Sequence, residues 1–218
     1  MSVLTLLRRS VLFLALMTAI VIAYTLVVTA AGKALFPFQA AGSIITVGGK
    51  EYSLLLGQPF SEAHHLWGRP VSADTTTYSK DGRPLFYAGP SNSSPATADY
   101  GARLAERTER MRRAHPARAG MPVPVELVTE SGSGLDPHIS PAAAEFQVER
   151  LASATGFTPD EVRRTIAMYT EGRFPGLPGE PRVHVLKVNL ALDGLLPNAH
   201  ATARAALAPS GSAVPQGR

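Results

Sequence analysis

The sequence predicts one N-terminal transmembrane helix followed by a mixed α/β (α+β) extracytoplasmic domain. Residues 10–32 form a run of 23 residues without a charged side chain. A helix of this length spans the hydrocarbon core of a bilayer, which is roughly 30 Å thick. After this run, short apolar segments alternate with turns and helix-start signals, which indicates that strands and helices share one domain.

The composition excludes several classes of protein. Hydrophobic residues make up 45% of the 218 residues and charged residues 17%, which is not the composition of a chain that is disordered throughout. The absence of cysteine excludes disulfide frameworks, thiol catalysis and cysteine-ligated metal centres. Of the 21 basic residues, four lie near the termini (Arg8, Arg9, Arg204 and Arg218), and the remaining 17 equal the 17 acidic residues. The body of the chain is therefore neutral, and we expect no nucleic-acid partner.

The charges beside the apolar run predict its orientation. Arg8 and Arg9 precede the run, and Lys33 is the only basic residue that follows it closely. Because basic flanks stay in the cytoplasm, we expect residues 1–9 in the cytoplasm, 10–32 in the plasma (inner) membrane and 33–196 as the domain outside. The alternative is a cleaved signal peptide, since Val28-Thr29-Ala30 has small residues. The apolar run is longer than the about 7–15 residues usual for such a peptide, which favours an anchor.

Turn and cap residues predict the elements of the domain. The glycines at 48 and 49 separate two apolar runs, 43–47 and 52–56, which predicts a hairpin. Ser140-Pro141 and Thr158-Pro159 each place an N-cap residue before a proline at the first helical position. The predicted helices are 99–115, 141–154, 158–169 and 190–196, and the further predicted strands are 123–128 and 183–188. Residues 197–218, which are rich in Ala, Pro, Ser and Gly, predict a disordered tail.

Sequence motifs of catalysis are absent. The chain has no G-x-x-x-x-G-K-[ST] loop, no D-K-T-G stretch, no G-x-S-x-G and no H-E-x-x-H. We therefore predict no catalytic residues and no enzyme activity of the chain by itself. His64 and His65 are adjacent, which on a strand would point them to opposite faces, and no cluster of carboxylates is near in sequence. We expect a surface or structural role for them and no metal site.

One loop has two interpretations. Ser131-Gly132-Ser133-Gly134 is rich in glycine and precedes the helix predicted to begin after Ser140, so its backbone N–H groups could bind an anion. Gln147 is predicted about two turns into that helix, with an amide that can both donate and accept. The other interpretation, which we prefer, is a connecting loop in which Asp136 bonds the N–H groups of a turn.

Several stretches of the sequence resemble one known family. Residues 35–44 (LFPFQAAGSI), Leu56–Phe60, Gly68–Pro70, the long stretch Val123–Pro141 and the segment Arg182–Asp193 are similar to the KdpC subunit of the bacterial potassium-transporting P-type ATPase complex. The resemblance covers about residues 5–195 in order. It departs from the family pattern at Arg69-Pro70-Val71-Ser72-Ala73, which is one residue longer, and at residues 88–93.

The resemblance implies an accessory subunit of a high-affinity, ATP-driven potassium uptake complex. Its expected partners are a channel-like potassium-binding subunit, a P-type ATP-hydrolysing subunit and the lipid bilayer. The family is described as a catalytic chaperone that raises the ATP affinity of the hydrolysing subunit. We expect no cofactor of the chain's own, with ATP a possible ligand through the complex. Gln147, Ser133 and Gly134 are the residues predicted to contact a nucleotide or anion. The alternative function is a free-standing, membrane-anchored or secreted binding module.

Overall fold

The computed structural model describes residues 2–71, 79–80, 83–84, 89–173 and 179–199. The chain divides after Ser53 into two compact units. The first unit contains helix α1 (Val3–Leu35), the short helix α2 (Pro37–Ala40) and strands β1 (Ile44–Val47) and β2 (Lys50–Ser53). The sequence had placed this hairpin in the second domain. It belongs instead to the unit of the N-terminal helix, where Ser53 Oγ donates to the carbonyl oxygen of Gly42 at 3.0 Å.

Helix α1 is longer than the predicted span 10–32. Ser2 caps its first turn by accepting a hydrogen bond from the backbone N–H of Thr5, and its end lies just before Pro37, which cannot continue a helix. None of its residues is buried within the chain. It is long and apolar enough to cross a membrane, a criterion that a signal sequence also meets. The prediction of one N-terminal apolar helix followed by a mixed domain is confirmed.

The predicted hairpin is present. Strands β1 and β2 are antiparallel, and Val47 pairs with Lys50 across the turn. Gly48 and Gly49 both have positive φ, at 57° and 76°, which is the backbone that a two-residue turn of this kind requires. The second strand therefore begins at Lys50, two residues before the predicted start at Tyr52, because the turn needs only the two glycines.

The second unit combines short strands with helices around one core. In chain order its elements are β3 (Ser79–Lys80), β4 (Arg83–Pro84), α3 (Ala98–Ala114), single 3₁₀ turns at Pro116–Arg118 and Val125–Leu127, β5 (His138–Ile139), α4 (Pro141–Phe146), α5 (Val148–Thr155), α6 (Pro159–Met168), β6 (Thr170–Glu171), β7 (Arg182–His184) and α7 (Val185–Leu192). Strand β7 lies between β5 and β6 in an antiparallel sheet, and β3 pairs with β4. Fully buried residues at the centre include Leu66, Ala143, Val148, Leu151, Val162, Val183 and Val188.

The helix-start signals behave as predicted. Ser140 Oγ accepts from the N–H of Ala143 at the start of α4. Thr158 and Glu161 form a reciprocal capping box at the start of α6. Gly156, with φ of 77°, ends α5 in the left-handed conformation. These signals act within a few residues, which is why the sequence alone predicts them.

One strand prediction is wrong, and a second is right only at its first two residues. Residues 123–128 contain a 3₁₀ turn, in which Leu127 N–H donates to the Pro124 carbonyl, and the prolines at 122 and 124 have no N–H for a strand ladder. Strand β7 ends at His184, and residues 185–192 are helix α7, of which all but Lys187 are buried. A helix that is apolar on nearly all sides has the same pattern as a buried strand. The predicted closing helix 190–196 therefore begins five residues too late.

The folded unit extends past the predicted start of the tail at residue 197. Tyr169 Oη donates to the Pro197 carbonyl at 2.8 Å, and Asn198 Nδ2 donates to the Ala191 carbonyl at 2.7 Å. Ala199 N–H donates to the buried Thr165 hydroxyl at 3.1 Å. Disorder at residues 197–199 is thus wrong, because their polar groups pair with α6 and α7. The rest of the predicted tail, from residue 200, lies outside the described residues.

Candidate functional site

The loop that was predicted to bind an anion uses its own polar groups to form a turn. Gly134 has φ of 72°, and its N–H donates to the Ser131 carbonyl at 3.1 Å. Ser133 Oγ accepts from the N–H of Leu135 and lies 3.2 Å from Ser131 Oγ. Ser133 and Gly134 therefore share one turn, and the N–H groups of residues 134 and 135 both have acceptors within it.

Asp136 closes this loop as the second interpretation predicts. Its Oδ1 accepts the N–H of His138 at 3.0 Å. The hydrogen bond from the His138 side chain is the main cause that lowers the pKa of Asp136, and the charge of Arg69 acts in the same direction. The observed bonds are those of a connecting loop.

The start of helix α4 already has an anion beside it. The carboxylate of Glu126 accepts the Ser140 N–H at 3.2 and 3.1 Å and also accepts the Ser140 hydroxyl. A carboxylate at a helix N-terminus is stabilised by the unpaired N–H groups and by the helix dipole. The helix start beside the predicted anion site therefore has a carboxylate of the chain itself as its partner.

Gln147 lies at a break between two helices and not two turns into one helix. Its N–H bonds the Ala144 carbonyl, three residues back, and its side-chain Nε2 donates to the Ala143 carbonyl at 3.3 Å. The side chain thus replaces the backbone donor that Ala143 loses at the break. Gln147 is fully buried (0% exposed), so the structure places its amide inside the domain.

The amide of Gln147 pairs with the backbone of one distant residue. Its Oε1 accepts the N–H of Trp67 and its Nε2 donates to the Trp67 carbonyl, both at 2.9 Å. This is the bonding that a neighbouring strand would provide. In the described part of the chain, the Gln147 side chain bonds Trp67, Ala143 and Arg150, and none of these lies in the turn that contains Ser133 and Gly134. The three predicted site residues are therefore not brought together as one hydrogen-bonded set.

The amide of Asn189 bonds in the same way to the backbone of Leu66, the residue before Trp67. Its Oδ1 accepts the N–H of Leu66 at 2.6 Å, and its Nδ2 donates to the Leu66 carbonyl at 3.0 Å. We refer to Gln147 with Trp67 and Asn189 with Leu66 as the two amide pairs. Sequence analysis missed Asn189. The available signal was a polar residue within the apolar run 183–192, since a buried amide must have partners.

A cation lies beside the first amide pair. Arg150 donates through Nη2 to Gln147 Oε1 at 2.7 Å and through Nε to His115 Nε2 at 2.9 Å, and it also donates to the Ala63 carbonyl. Its guanidinium lies 4.3 Å from the centre of the Trp67 ring. In the part of the chain that the structure describes, no carboxylate forms an ion pair with Arg150. Burial lowers the pKa of Arg150 to about 10, and the group stays charged at neutral pH.

His115 is held in its neutral form by this arrangement. Its Nδ1–H donates to the Met111 carbonyl at 2.7 Å, which leaves Nε2 to accept from Arg150. Burial is the main cause that lowers the pKa of His115 to about 4, and the charge of Arg150 acts in the same direction. A second proton would create two adjacent cations. His115 is thus a structural acceptor at neutral pH.

Comparison with known proteins decides the family. The family model described as KdpC, the c chain of K⁺-transporting ATPase, matches residues 6–194. The chain belongs to the KdpC family. Three relatives, each named a potassium-transporting ATPase KdpC subunit, are 47% identical to it. They are from Clostridium perfringens (87% of this chain and 97% of the relative), Sorangium cellulosum (86% and 97%) and Polaromonas naphthalenivorans (86% and 93%).

This membership confirms the resemblance stated from the sequence motifs. The KdpC match begins at residue 6 and so includes most of helix α1, and it ends at residue 194, directly after α7. Both units of the chain therefore belong to the region that defines the family. The two amide pairs also lie within this region.

The local structure around His64 and His65 differs from what the sequence predicted. They lie in a turn and not on a strand, since His65 N–H donates to the Glu62 carbonyl. No cluster of carboxylates is near them in sequence, but the fold brings one carboxylate to them: Asp193 Oδ1 is 3.7 Å from His64 Nε2 and 3.1 Å from His65 Nε2. Asp193 follows these histidines by more than 120 residues, so only the tertiary fold brings the three together.

Proposed function

We propose that this KdpC chain is the accessory subunit of an ATP-driven potassium uptake complex, that it stabilises the assembly and that it raises the ATP affinity of the hydrolysing subunit. Its partners in this proposal are a channel-like potassium-binding subunit and a P-type ATP-hydrolysing subunit. Membership of the KdpC family favours this function over the alternative of a free-standing binding module. The single observation that supports the accessory role is helix α1, which is apolar and has no buried residue within the chain.

Helix α1 offers no path for an ion. Residues 10–32 carry no charged side chain. The hydroxyls of Thr18 and Thr25 donate to the carbonyls of Leu14 and Val21 in the same helix, both at 2.8 Å. Ion pathways across membranes normally use polar or ionisable side chains. Potassium therefore crosses through a partner, and α1 serves as an anchor and a packing surface.

One face of this helix is suited to close packing. The small residues are Ala15, Thr18, Ala19 and Ala23. Thr18 and Ala19 follow Ala15 by three and four positions, and Ala23 follows Ala19 by four, which places them on one side of α1. Small residues allow the backbones of two membrane helices to approach closely. We assign this face to the contact with a partner helix in the bilayer.

A pull-down in mild detergent tests the assembly. Replacing these four residues by leucine is expected to reduce recovery of the two partner subunits, because the added side chains hold the helices apart. The control is Val21→Leu with Val28→Leu, which enlarges two apolar side chains on another face of the helix and should leave recovery unchanged. Recovery of the unaltered chain without partners, from cells that express them, would contradict the proposal.

The proposed effect on ATP is indirect. If the second unit lies outside the cytoplasm, it cannot touch cytoplasmic ATP, so any change in ATP affinity passes through the partner subunits as a coupling between sites. A contact of Gln147, Ser133 or Gly134 with a nucleotide stays a prediction. The bonds that these residues make within the chain favour a structural role, and the experiment that separates the two roles is given below.

The orientation follows from the flanking charges and is tested with single cysteines. Because the chain has no native cysteine, Ala102→Cys, on an exposed position of α3, provides one reactive thiol. We expect it to react with a membrane-impermeant maleimide in intact spheroplasts. Val3→Cys, at the other end of the membrane helix, should react only after lysis. The reverse pattern would show that the second unit is cytoplasmic.

A further inference from the structure

We propose that His64, His65 and Asp193 form a binding site for a divalent transition-metal ion, with Zn²⁺ as the ligand. The site joins the turn that precedes Leu66 to the C-terminal end of helix α7. It does not depend on the proposed role in potassium uptake. It replaces the expectation from the sequence that the chain has no metal site.

The distances between the donor atoms suit a tetrahedral ion. Asp193 Oδ1 lies 3.7 Å from His64 Nε2 and 3.1 Å from His65 Nε2, and one donor atom from each of the three residues lies within 4.8 Å of the other two. Zinc–ligand distances of about 2.0–2.1 Å in a tetrahedral site separate neighbouring donors by about 3.3 Å. The two observed separations fall on either side of this value.

The two histidine rings are arranged to act together. Their centres are 4.1 Å apart, and both Nε2 atoms face the same carboxylate. The His65 ring also packs edge-on against Phe60 at 5.1 Å, which restricts its orientation. Neutral imidazole nitrogen and carboxylate oxygen are both zinc ligands. Three such ligands leave the fourth position for water or for a group from another molecule.

The position of Asp193 favours a cation. Asp193 is the C-cap of helix α7, and the C-terminal end of a helix carries partial negative charge. In the described part of the chain, Asp193 pairs with the two histidines. A divalent ion would therefore be placed beside a carboxylate and a helix end, with the two imidazoles as neutral ligands.

The metal site would extend an existing connection between two segments. Asn189 and Asp193 are four residues apart on α7, and Asn189 already bonds the backbone of Leu66, next to His65. His65 bonds Asp193 without a metal, at 3.1 Å to both carboxylate oxygens. A bound ion would add His64, whose side chain is 45% exposed. We expect Zn²⁺ to stabilise the contact between the turn and α7.

Titration of the full-length chain with Zn²⁺ tests the proposal. The chain is purified in detergent, its affinity tag is removed, and it is stripped of metal with EDTA and dialysed. We expect calorimetry to show one Zn²⁺ per chain and a thermal transition that moves to higher temperature with Zn²⁺ but not with Mg²⁺. His64→Ala and Asp193→Asn should each weaken Zn²⁺ affinity by more than about tenfold, since even residues outside the ligand set cost 10–100-fold.

The chain contains a matched control. His138 and Asp136 form another histidine–carboxylate pair, with 3.5 Å between Nδ1 and Oδ1, so His138→Ala removes a comparable pair and should leave Zn²⁺ affinity unchanged. His64→Ala is the decisive variant, because nearly half of the His64 side chain (45%) is exposed and its loss should leave the fold intact. The proposal is overturned if the unaltered chain binds no Zn²⁺, if His64→Ala binds as tightly, or if His138→Ala weakens binding as much.

Discussion

Replacing Gly57 by alanine is expected to lower the free energy of unfolding of the second unit by about 2–4 kcal/mol. A Cβ atom at this position would lie 2.6 Å from the carbonyl oxygen of Asp136 and 3.0 Å from the carbonyl carbons of Asp136 and Leu135. These are backbone atoms, which cannot rotate away as a side chain can. The N–H of Gly57 also donates to the Leu135 carbonyl at 2.7 Å. To make room for the added Cβ, the backbone at Gly57 must move away from residues 135–136, and this hydrogen bond must lengthen.

Gly132→Ala is the matched control for Gly57→Ala. Gly132 lies in the loop just before Leu135, and a Cβ there meets nothing within 4 Å. A surface change of this kind is usually within about 0.5 kcal/mol of neutral. Denaturant-induced unfolding, followed by the fluorescence of the single tryptophan, Trp67, measures both variants. Equal midpoints for Gly57→Ala and the unaltered chain would show that the backbone contact is not tight in solution.

Replacing Gln147 by alanine is expected to destabilise the second unit by a similar amount, about 2–4 kcal/mol. The change leaves the buried N–H and carbonyl of Trp67 without partners, removes an acceptor from Arg150 and opens a cavity at a position with no exposure. Asn189→Ala should have an effect of the same size, because it removes the other amide pair. Ser153→Ala, at an exposed position on α5, should be close to neutral.

The comparison of these two variants also tests the predicted nucleotide contact. Both remove an amide pair beside the same segment, but only Gln147 was predicted to contact a nucleotide. If Gln147 is structural alone, complexes with either variant that remain folded should need the same ATP concentration for half-maximal hydrolysis. A higher requirement in Gln147→Ala, with Asn189→Ala unchanged, would contradict the structural role and support the nucleotide contact. Both measurements are made well below the unfolding temperature.

Local signals in the sequence predicted the elements that short-range physics controls. The apolar helix at the N-terminus, the hairpin turn at Gly48-Gly49 and the helix starts at Ser140 and Thr158 were all predicted, because each depends on residues within one or two turns of the chain. The length of an apolar run, the positive φ that glycine allows and a capping hydrogen bond are all local properties, so they can be predicted without knowledge of the tertiary structure.

Apolar pattern alone failed where burial was complete. Residues 185–188 belong to a helix that is buried on nearly all sides, so their apolar pattern matched a strand equally well. Residues 197–199 have the composition of a tail, yet they pair with α6 and α7. Composition indicates whether a segment can bury apolar surface, but not whether its backbone finds partners elsewhere.

The sequence by itself determined an apolar N-terminal helix, a neutral mixed domain without cysteine, and membership of the KdpC family through its motifs. The tertiary structure decided what the polar residues do. Gln147 is predicted from the sequence as a nucleotide contact, and only the fold shows that its amide pairs with Trp67, 80 residues away. The histidine pair gained a carboxylate partner, Asp193, only when helix α7 was placed beside it. Hydrogen bonds and metal ligation depend on separations of a few ångströms, and for residues this far apart in the chain only the packing of helices and turns sets those separations.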